Sequence, residues 1–365
     1  MTWNDFIGNG GAVEQLRRLA AGPATGRTVV LAGPSGVGKT TLAMMLGLSL
    51  NCQAPPAPGE HCGACASCAQ ATPPDGLEEL AAAALEYRTA EVKTNPRETA
   101  PLQVAPHPAV RVYPPDGDLL TMAQARALIH QSQLQPDAGQ TWTLIVPDLD
   151  RARWTTQAAL LKTLEEPPPG VVLVALARNP LALLPTVRSR ALVVRLAPVA
   201  PAELVAALAG RELAEPELRA QLAAGCPGRA LRMDLDLYRE LRRDALQLLR
   251  GMRDWSRGTV GQAFLGSESA RGDREKFESL VEILYSVLQD IEYLQSGFPE
   301  AIRNVDCQPE LTQLAQWFNP ASLPQAIEEL DRIQAASGRN IFRPLALDSW
   351  VVGQGSREAR GGVGA

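Results

Sequence analysis

The sequence predicts an α/β domain built on a doubly wound parallel sheet, followed by an all-helical C-terminal region. Three observations carry that reading. Residues 33–40 read Gly-Pro-Ser-Gly-Val-Gly-Lys-Thr between an apolar, β-branched run (Thr28 to Ala32) and a helix-forming run (Thr41 to Leu46). Strand, glycine-rich loop and helix thus stand in the order a phosphate-binding loop requires. From 109 to 196, short apolar runs alternate with helical patterns. Beyond them Leu280, Val281, Leu284, Val287, Leu288, Ile291 and Leu294 share one helical face, and Gly297 with Pro299 closes that helix.

The alternation reads in order. Ala109 to Tyr113 is a short strand, Met122 to Gln133 a helix and Trp142 to Val146 a buried strand. Trp154 to Glu166 is a helix stopped by Pro167, Pro168 and Pro169, and Val171 to Ala177 and Ala191 to Leu196 are two further strands. Strands separated by helices imply parallel pairing with helices on both faces of the sheet.

The loop carries its own chemistry. Gly33, Gly36 and Gly38, with Pro34, Ser35 and Val37 between them, let backbone N–H groups turn toward phosphates at a helix N-terminus, where unpaired donors and the dipole favour an anion. Lys39 is placed to reach the terminal phosphates, Thr40 to ligate Mg²⁺, and Thr41 follows in the same helix start. The expected cofactor is ATP or ADP with Mg²⁺. Of the 35 basic residues only Lys39, Lys93, Lys162 and Lys276 are lysine, so a drift toward arginine has spared the loop position.

Length and charge set modest bounds. A chain of 365 residues predicts two or three domains, and a net charge of −5 gives no general nucleic-acid footprint. The sequence shows no secretory signal, and its best apolar run, Val171 to Pro185, is interrupted by Arg178 and Asn179, so a cytoplasmic protein is expected.

Cys52, Cys62, Cys65 and Cys68 have the spacing C-x9-C-x2-C-x2-C. Four thiolates so grouped suit a closed tetrahedral Zn²⁺ site, structural because no coordination position is left for a substrate. An iron–sulfur cluster is the rival, but Thr72 stands before Pro73 where a ferredoxin run continues with cysteine. Cys226 and Cys307 are isolated and read as packed thiols. The segment from about 69 to 105 mixes prolines, an alanine tract and charges, and reads as a mobile or partly helical insertion. The Gly-rich stretch 351–365 reads as a disordered tail.

The order of these boxes resembles the AAA+ clamp-loader subunits of bacterial DNA polymerase III. The resemblance runs through Phe6-Ile7-Gly8, the phosphate loop, the cysteine module after its helix, His107-Pro108, the stretch Ala159 to Pro168, Ser189-Arg190 and Leu345 to Asp348. It implies an α/β P-loop AAA+ domain over 1–195 with an inserted zinc module at 52–68. It further implies a small helical lid at 196–234 and an all-α collar domain for oligomerisation at 235–350.

Within that family the motor subunits, gamma or tau, carry Asp-Glu after the Walker B strand; the delta-prime branch has lost the pair. The register set by Lys162 puts Pro147-Asp148 there, a degenerate Walker B. The motor lid motif also places an arginine where this chain has Gly228, with Arg229 one residue late. Arg190 corresponds to the family's arginine finger, which reaches a neighbour's ATP in trans; Ala191 replaces the cysteine beside it. Lys162 is assigned no single role.

The resemblance therefore implies a delta-prime-like subunit that binds nucleotide and hydrolyses it weakly or not at all. Its partners would be the delta and gamma or tau subunits, the sliding clamp, and primer–template DNA through the complex. An active motor subunit, or a zinc-dependent DNA-binding module with structural ATP, are the alternatives.

Overall fold

The computed structural model describes residues 2–23, 26–73, 76–92, 94–117, 119–137, 139–256, 274–336 and 342–361. The chain divides into two compact units, one of residues 1–214 and 225–231, the other of 215–224 and 232–365. The segment 196–234, expected as one lid, is thus shared between them.

The first unit contains, in chain order, α1 (Gly10–Ala21), β1 (Arg27–Ala32), α2 (Lys39–Leu50), α3 (Leu77–Glu91), α4 (Pro96–Thr99), β2 (Val104–His107), β3 (Val110–Val112), α5 (Met122–Gln133), β4 (Trp142–Val146), α6 (Trp154–Glu165), β5 (Val171–Ala177), α7 (Pro185–Arg190), β6 (Leu192–Arg195) and α8 (Pro201–Ala209). Its six strands form one sheet in the order β2-β3-β4-β5-β1-β6. All neighbours from β3 to β6 pair in parallel, and β2 alone runs antiparallel, against β3.

Strand alternation explains why helices cover both faces. Val29 and Leu31 of β1, with Val172, Val174 and Leu176 of β5, pack against Leu16 of α1 and Leu42 and Leu46 of α2. Val30 and Ala32, with Val171, Leu173, Ala175 and Ala177, pack against Leu128 of α5, Leu160 of α6 and Val187 of α7. Both faces being buried, β5 reads as an unbroken apolar run with all seven residues buried. Its five parallel strands with helices on both faces are those the alternation predicts, and the antiparallel edge strand β2 makes the sheet a mixed one.

Local signals set the element ends. Thr121 caps α5, its hydroxyl accepting from Gln124 N while Gln124 Oε1 accepts from Thr121 N. The Gln124 amide then reaches the carbonyls of Leu102 and Pro114, tying the helix start to the chain on both sides of the β2–β3 pair.

In the second unit α9 (Pro216–Leu222) is followed, after α10 (Pro227–Arg232, all but its last residue in the first unit), by α11 (Leu235–Ser256), α12 (Arg274–Gln295), α13 (Gln308–Trp317), α14 (Leu323–Ala336) and α15 (Arg343–Gly361). The predicted stripe of α12 is core: Leu280, Leu284, Val287, Leu288 and Ile291 are fully buried with Leu248 and Leu249 of α11 and Leu311 of α13.

Two expectations are corrected. Residues 351–361, read as disordered tail, continue α15. Packing overrides the poor helix propensity of their glycines: Trp350 and Val351 are buried, Trp350 Nε1 donates to Ala326 O at 3.0 Å, and Gln354 Nε2 reaches Glu329 at 2.8 Å. The remaining four residues of that reading, 362–365, lie outside the described residues.

The insertion at 69–105, read as mobile or partly helical, is partly helical through α3 and α4, and it packs on the core where mobility was the other reading. Leu77, Leu80, Ala81 and Ala84 of α3 pack on the sheet core, and buried Arg88 makes a two-pronged ion pair with buried Asp116, one hydrogen bond at 2.9 Å and its mate at 2.5 Å. Lys93 lies outside the described residues. At the end of that segment stands β2, a strand not anticipated; it contains Pro106, and a strand with proline is tolerated only at a sheet edge, which is where β2 sits.

Candidate functional site

The phosphate loop leaves the sheet between β1 and α2. Gly33 N donates to Ala177 O of β5 at 3.1 Å, so the loop begins pinned to the neighbouring strand. Gly36 (φ +80°) and Gly38 (φ +102°) take left-handed backbone, and a Cβ at Gly38 would lie 2.6 Å from the Phe6 ring. Phe6, Val37 and α2 belong to one core cluster, so the family-like Phe6-Ile7-Gly8 box serves to brace the loop.

Lys39 opens α2 almost wholly buried, and its ammonium donates to the carbonyls of Gly33 and Pro34 at 2.6 and 2.8 Å. Burial pulls its pKa below the ordinary lysine value, and the Asp148 carboxylate is the strongest opposing influence. Thr40 and Thr41 follow, each half-buried. Left-handed glycines, a helix N-terminus and a lysine folded along the loop form a donor set that fits a nucleotide's phosphates.

Opposite the loop, β4 ends at Val146 and the chain turns through Pro147 and Asp148, the latter in left-handed backbone at φ +47°. Asp148 Oδ1 faces Arg178 Nε at 3.8 Å. Asp150 Oδ2 accepts from the backbone N–H groups of both Arg178 and Asn179 at 2.9 Å. In the sequence Arg178 stands out only as a break in an apolar run; a charge placed directly after seven buried strand residues is the available signal.

The stretch 225–231 completes this side of the loop. Gly228 N donates to Gly36 O at 2.8 Å, and a Cβ on Gly228 would stand 2.9 Å from that same oxygen. Glycine is therefore required there by close approach, and the backbone of Arg229 lies against Gly36. Cys226 is buried beside it, as expected of a packed thiol.

Arg190 ends α7 with its side chain half exposed, 3.6 Å from Glu165 at the end of α6. Ala191 packs partly buried against the core cluster of that face. Lys162 is exposed on α6.

The ligand atoms of Cys52, Cys62, Cys65 and Cys68 all lie within 4.8 Å of one another. The thiols are unequal: the backbone N–H of Cys68 draws Cys65 down to about 6, while burial pushes Cys68 up to about 12. Holding all four as thiolates calls for a bound cation, and four sulfurs so gathered fit Zn²⁺.

The module is tied to the sheet unit at both ends. Trp3 Nε1 donates to Gly59 O and Ser49 Oγ at 3.0 and 3.1 Å, and Arg17 pairs with Glu60. His107 Nδ1 accepts from Ala109 N at 3.0 Å, so Nε2 carries the proton and donates to Ser67 Oγ at 3.0 Å. The His107-Pro108 box thereby links the cysteine module to β2 and β3. Cys307 is half-buried in the second unit and its thiol is pushed up to about 11 by burial.

A parallel sheet whose glycine loop and helix N-terminus stand at the C-terminal ends of its strands defines a P-loop-type α/β protein. The family described as "DNA polymerase III, delta subunit" matches residues 8–200, more than half of the chain. The chain belongs to that family of clamp-loader subunits.

Three solved structures are similar to it. A DNA polymerase III gamma subunit-related protein from Thermotoga maritima is 16% identical, with 94% of this chain and 99% of that one covered and a TM-score of 0.48. The RuvB Holliday junction branch migration motor of Thermotoga maritima is 16% identical over 85% of this chain and 87% of its own, at TM-score 0.39. The Bacillus subtilis DNA clamp loader delta protein is 13% identical over 95% and 99%, at TM-score 0.31. All three scores fall below 0.5, so the family assignment rests on the family match. No curated protein matches the chain. Among the described residues, no helix is long and apolar enough to cross a membrane.

Proposed function

We propose that this chain is a delta-prime-like clamp-loader subunit: an AAA+ protein that binds ATP or ADP in its own phosphate loop, hydrolyses it weakly or not at all, and offers Arg190 to a neighbour's nucleotide. In this reading 196–234 serves as lid and 235–350 as the collar through which it assembles. Its partners are the delta and gamma or tau subunits in a cytoplasmic complex that opens the sliding clamp and sets it on primer–template DNA. Zn²⁺ on the four cysteines is structural.

One observation carries the reading. Beside an intact phosphate loop, the position for the acidic pair holds Pro147 and Asp148, and Asp148 faces Arg178 at 3.8 Å. Phosphoryl transfer depends on a metal ion fixed across the terminal phosphates and on an oriented water, and a displacement of about 1 Å in a catalytic group costs on the order of a hundredfold in rate. Proline supplies no carboxylate, and the aspartate left at the pair position has a guanidinium 3.8 Å away. At the other end, half exposure leaves Arg190 able to exchange Glu165 for a phosphate on an adjoining subunit.

The test is co-purification of the tagged chain with the other loader subunits, followed by ATPase measurement on the chain alone. The reading expects a stable complex and negligible turnover in isolation. Motor-level turnover by the isolated chain would overturn it in favour of a gamma-like subunit.

A further inference from the structure

Arg178 occupies a position that the nucleotide reading leaves unused. Ala32 of β1 and Ala177 of β5 are register partners, and Gly33 N donates to Ala177 O. Arg178 is therefore the residue at which β5 leaves the sheet, beside the start of the phosphate loop. On its other side β4 pairs with β5, Val146 opposite Ala175, and Asp148 follows two residues on. The C-terminal ends of three adjacent parallel strands thus present loop, guanidinium and carboxylate in a row, at the edge where ligands of such sheets bind.

The backbone there is fixed. Asp150 Oδ2 accepts from Arg178 N and Asn179 N at 2.9 Å each, and Asp148 is held in a left-handed turn. The Arg178 side chain is 50% exposed, and among the described residues its one side-chain partner is Asp148 at 3.8 Å. Three groups act on the buried Lys39 ammonium with charge at this edge: Asp148, Arg178 and Asp150.

A site that recruits Mg²⁺ keeps its carboxylates turned to the metal. Here the carboxylate that acts most strongly on Lys39 already has a guanidinium 3.8 Å away, with which a divalent ion would have to compete. Guanidinium binds phosphate oxygens through paired, charge-assisted hydrogen bonds, and a polyphosphate carries more negative charge than a single aspartate. From this geometry we infer that Arg178 is a phosphate ligand of the nucleotide site and takes the electrostatic place of the metal ion, so that this chain binds nucleotide without Mg²⁺. The inference rests on the nucleotide-binding reading above. It deepens that reading by assigning a metal-free nucleotide as the resident form.

The experiment titrates a fluorescent ATP analogue against the full-length chain, with millimolar Mg²⁺ and with no divalent ion. Buffers are stripped on resin beforehand, because a soluble chelator would attack an ion on the four cysteines. The expected Kd differs by less than about threefold between the two conditions, whereas Arg178→Ala raises the Mg²⁺-free Kd by at least about tenfold, the equivalent of 1.4 kcal/mol. Asp148→Asn, which releases Arg178, tightens Mg²⁺-free binding and covers the case in which Arg178→Ala does not fold. Loss of wild-type binding on omitting Mg²⁺ would overturn the inference while leaving the nucleotide reading intact. So would unchanged Mg²⁺-free affinity in both variants. Absence of binding under both conditions would instead remove the nucleotide reading itself.

Discussion

Arg190 Nη1 stands 3.6 Å from Glu165 Oε1, so the residue that ends α7 is paired with the residue that ends α6. The side chains are 51% and 25% exposed. An ion pair this open contributes about 0–1 kcal/mol, because solvent screens it and both long side chains lose freedom. The pair is a weak tether that leaves the guanidinium transferable.

Glu165→Gln should therefore change folding stability by less than about 1 kcal/mol, read from urea denaturation of the chain. In an assembled loader it should leave ATP turnover near the wild-type value. A loss as large as that of Arg190→Ala would make the pair, rather than the arginine, the functional unit.

The cysteine module should hold one metal ion and take no part in nucleotide chemistry. Elemental analysis is expected to find about one zinc per chain and no iron–sulfur absorption, as for a closed four-thiolate site. Cys65→Ser should lower the melting temperature and leave nucleotide affinity nearly unchanged. Coloured, iron-bearing protein would contradict the assignment.

Restoring the missing carboxylates should not restore hydrolysis. The double change Pro147→Asp with Asp148→Glu returns the acidic pair, yet Gly228 still lies on Gly36 O, where a Cβ would stand at 2.9 Å and no arginine side chain fits. Arg178 also remains beside the new glutamate. Turnover by this variant alone should stay within about tenfold of wild type, about 1.4 kcal/mol in barrier.

The segment 77–91 should behave as part of the folded unit. Arg88 and Asp116 are 7% and 3% exposed, and removing one partner of a buried pair leaves an uncompensated charge. Arg88→Met should destabilise the chain by about 3 kcal/mol, at the lower end of the usual range because Arg97 also reaches Asp116 at 3.4 Å. A change below about 1 kcal/mol would indicate that α3 contributes little to the stability of this unit.

What the sequence made legible was local. The run Val171 to Ala177 could only be a doubly buried strand, and the loop at 33–40 sits between a strand and a helix whose patterns are unmistakable. What it hid was contact between distant segments or a balance of weak terms. Arg178 and Asp148 lie on different strand ends, Gly228 is far in sequence from Gly36, and Arg88 finds Asp116 across a turn and two strands. The helix 77–91 did carry a stripe, Leu77, Leu80, Ala81 and Ala84, but alanine dilutes the hydrophobic contrast that a periodicity argument needs. At 351–361 glycine content pointed to disorder, and the burial of Trp350, Val351 and Gln354 decided otherwise.

The central claim is that this chain binds nucleotide for itself and supplies a charge for its neighbour's reaction. It is tested most directly by steady-state ATPase on reconstituted loaders, matched for subunit content, carrying either Arg190→Ala or Lys39→Ala, with nucleotide binding measured separately on the isolated chain. A finger used mainly in the transition state predicts that Arg190→Ala depresses DNA- and clamp-stimulated turnover by at least about tenfold while assembly and binding by this chain persist. Lys39→Ala should abolish this chain's own binding with a much smaller effect on turnover. Equal losses from the two variants would place a hydrolysing site in this chain, and undiminished turnover with Arg190→Ala would contradict the account.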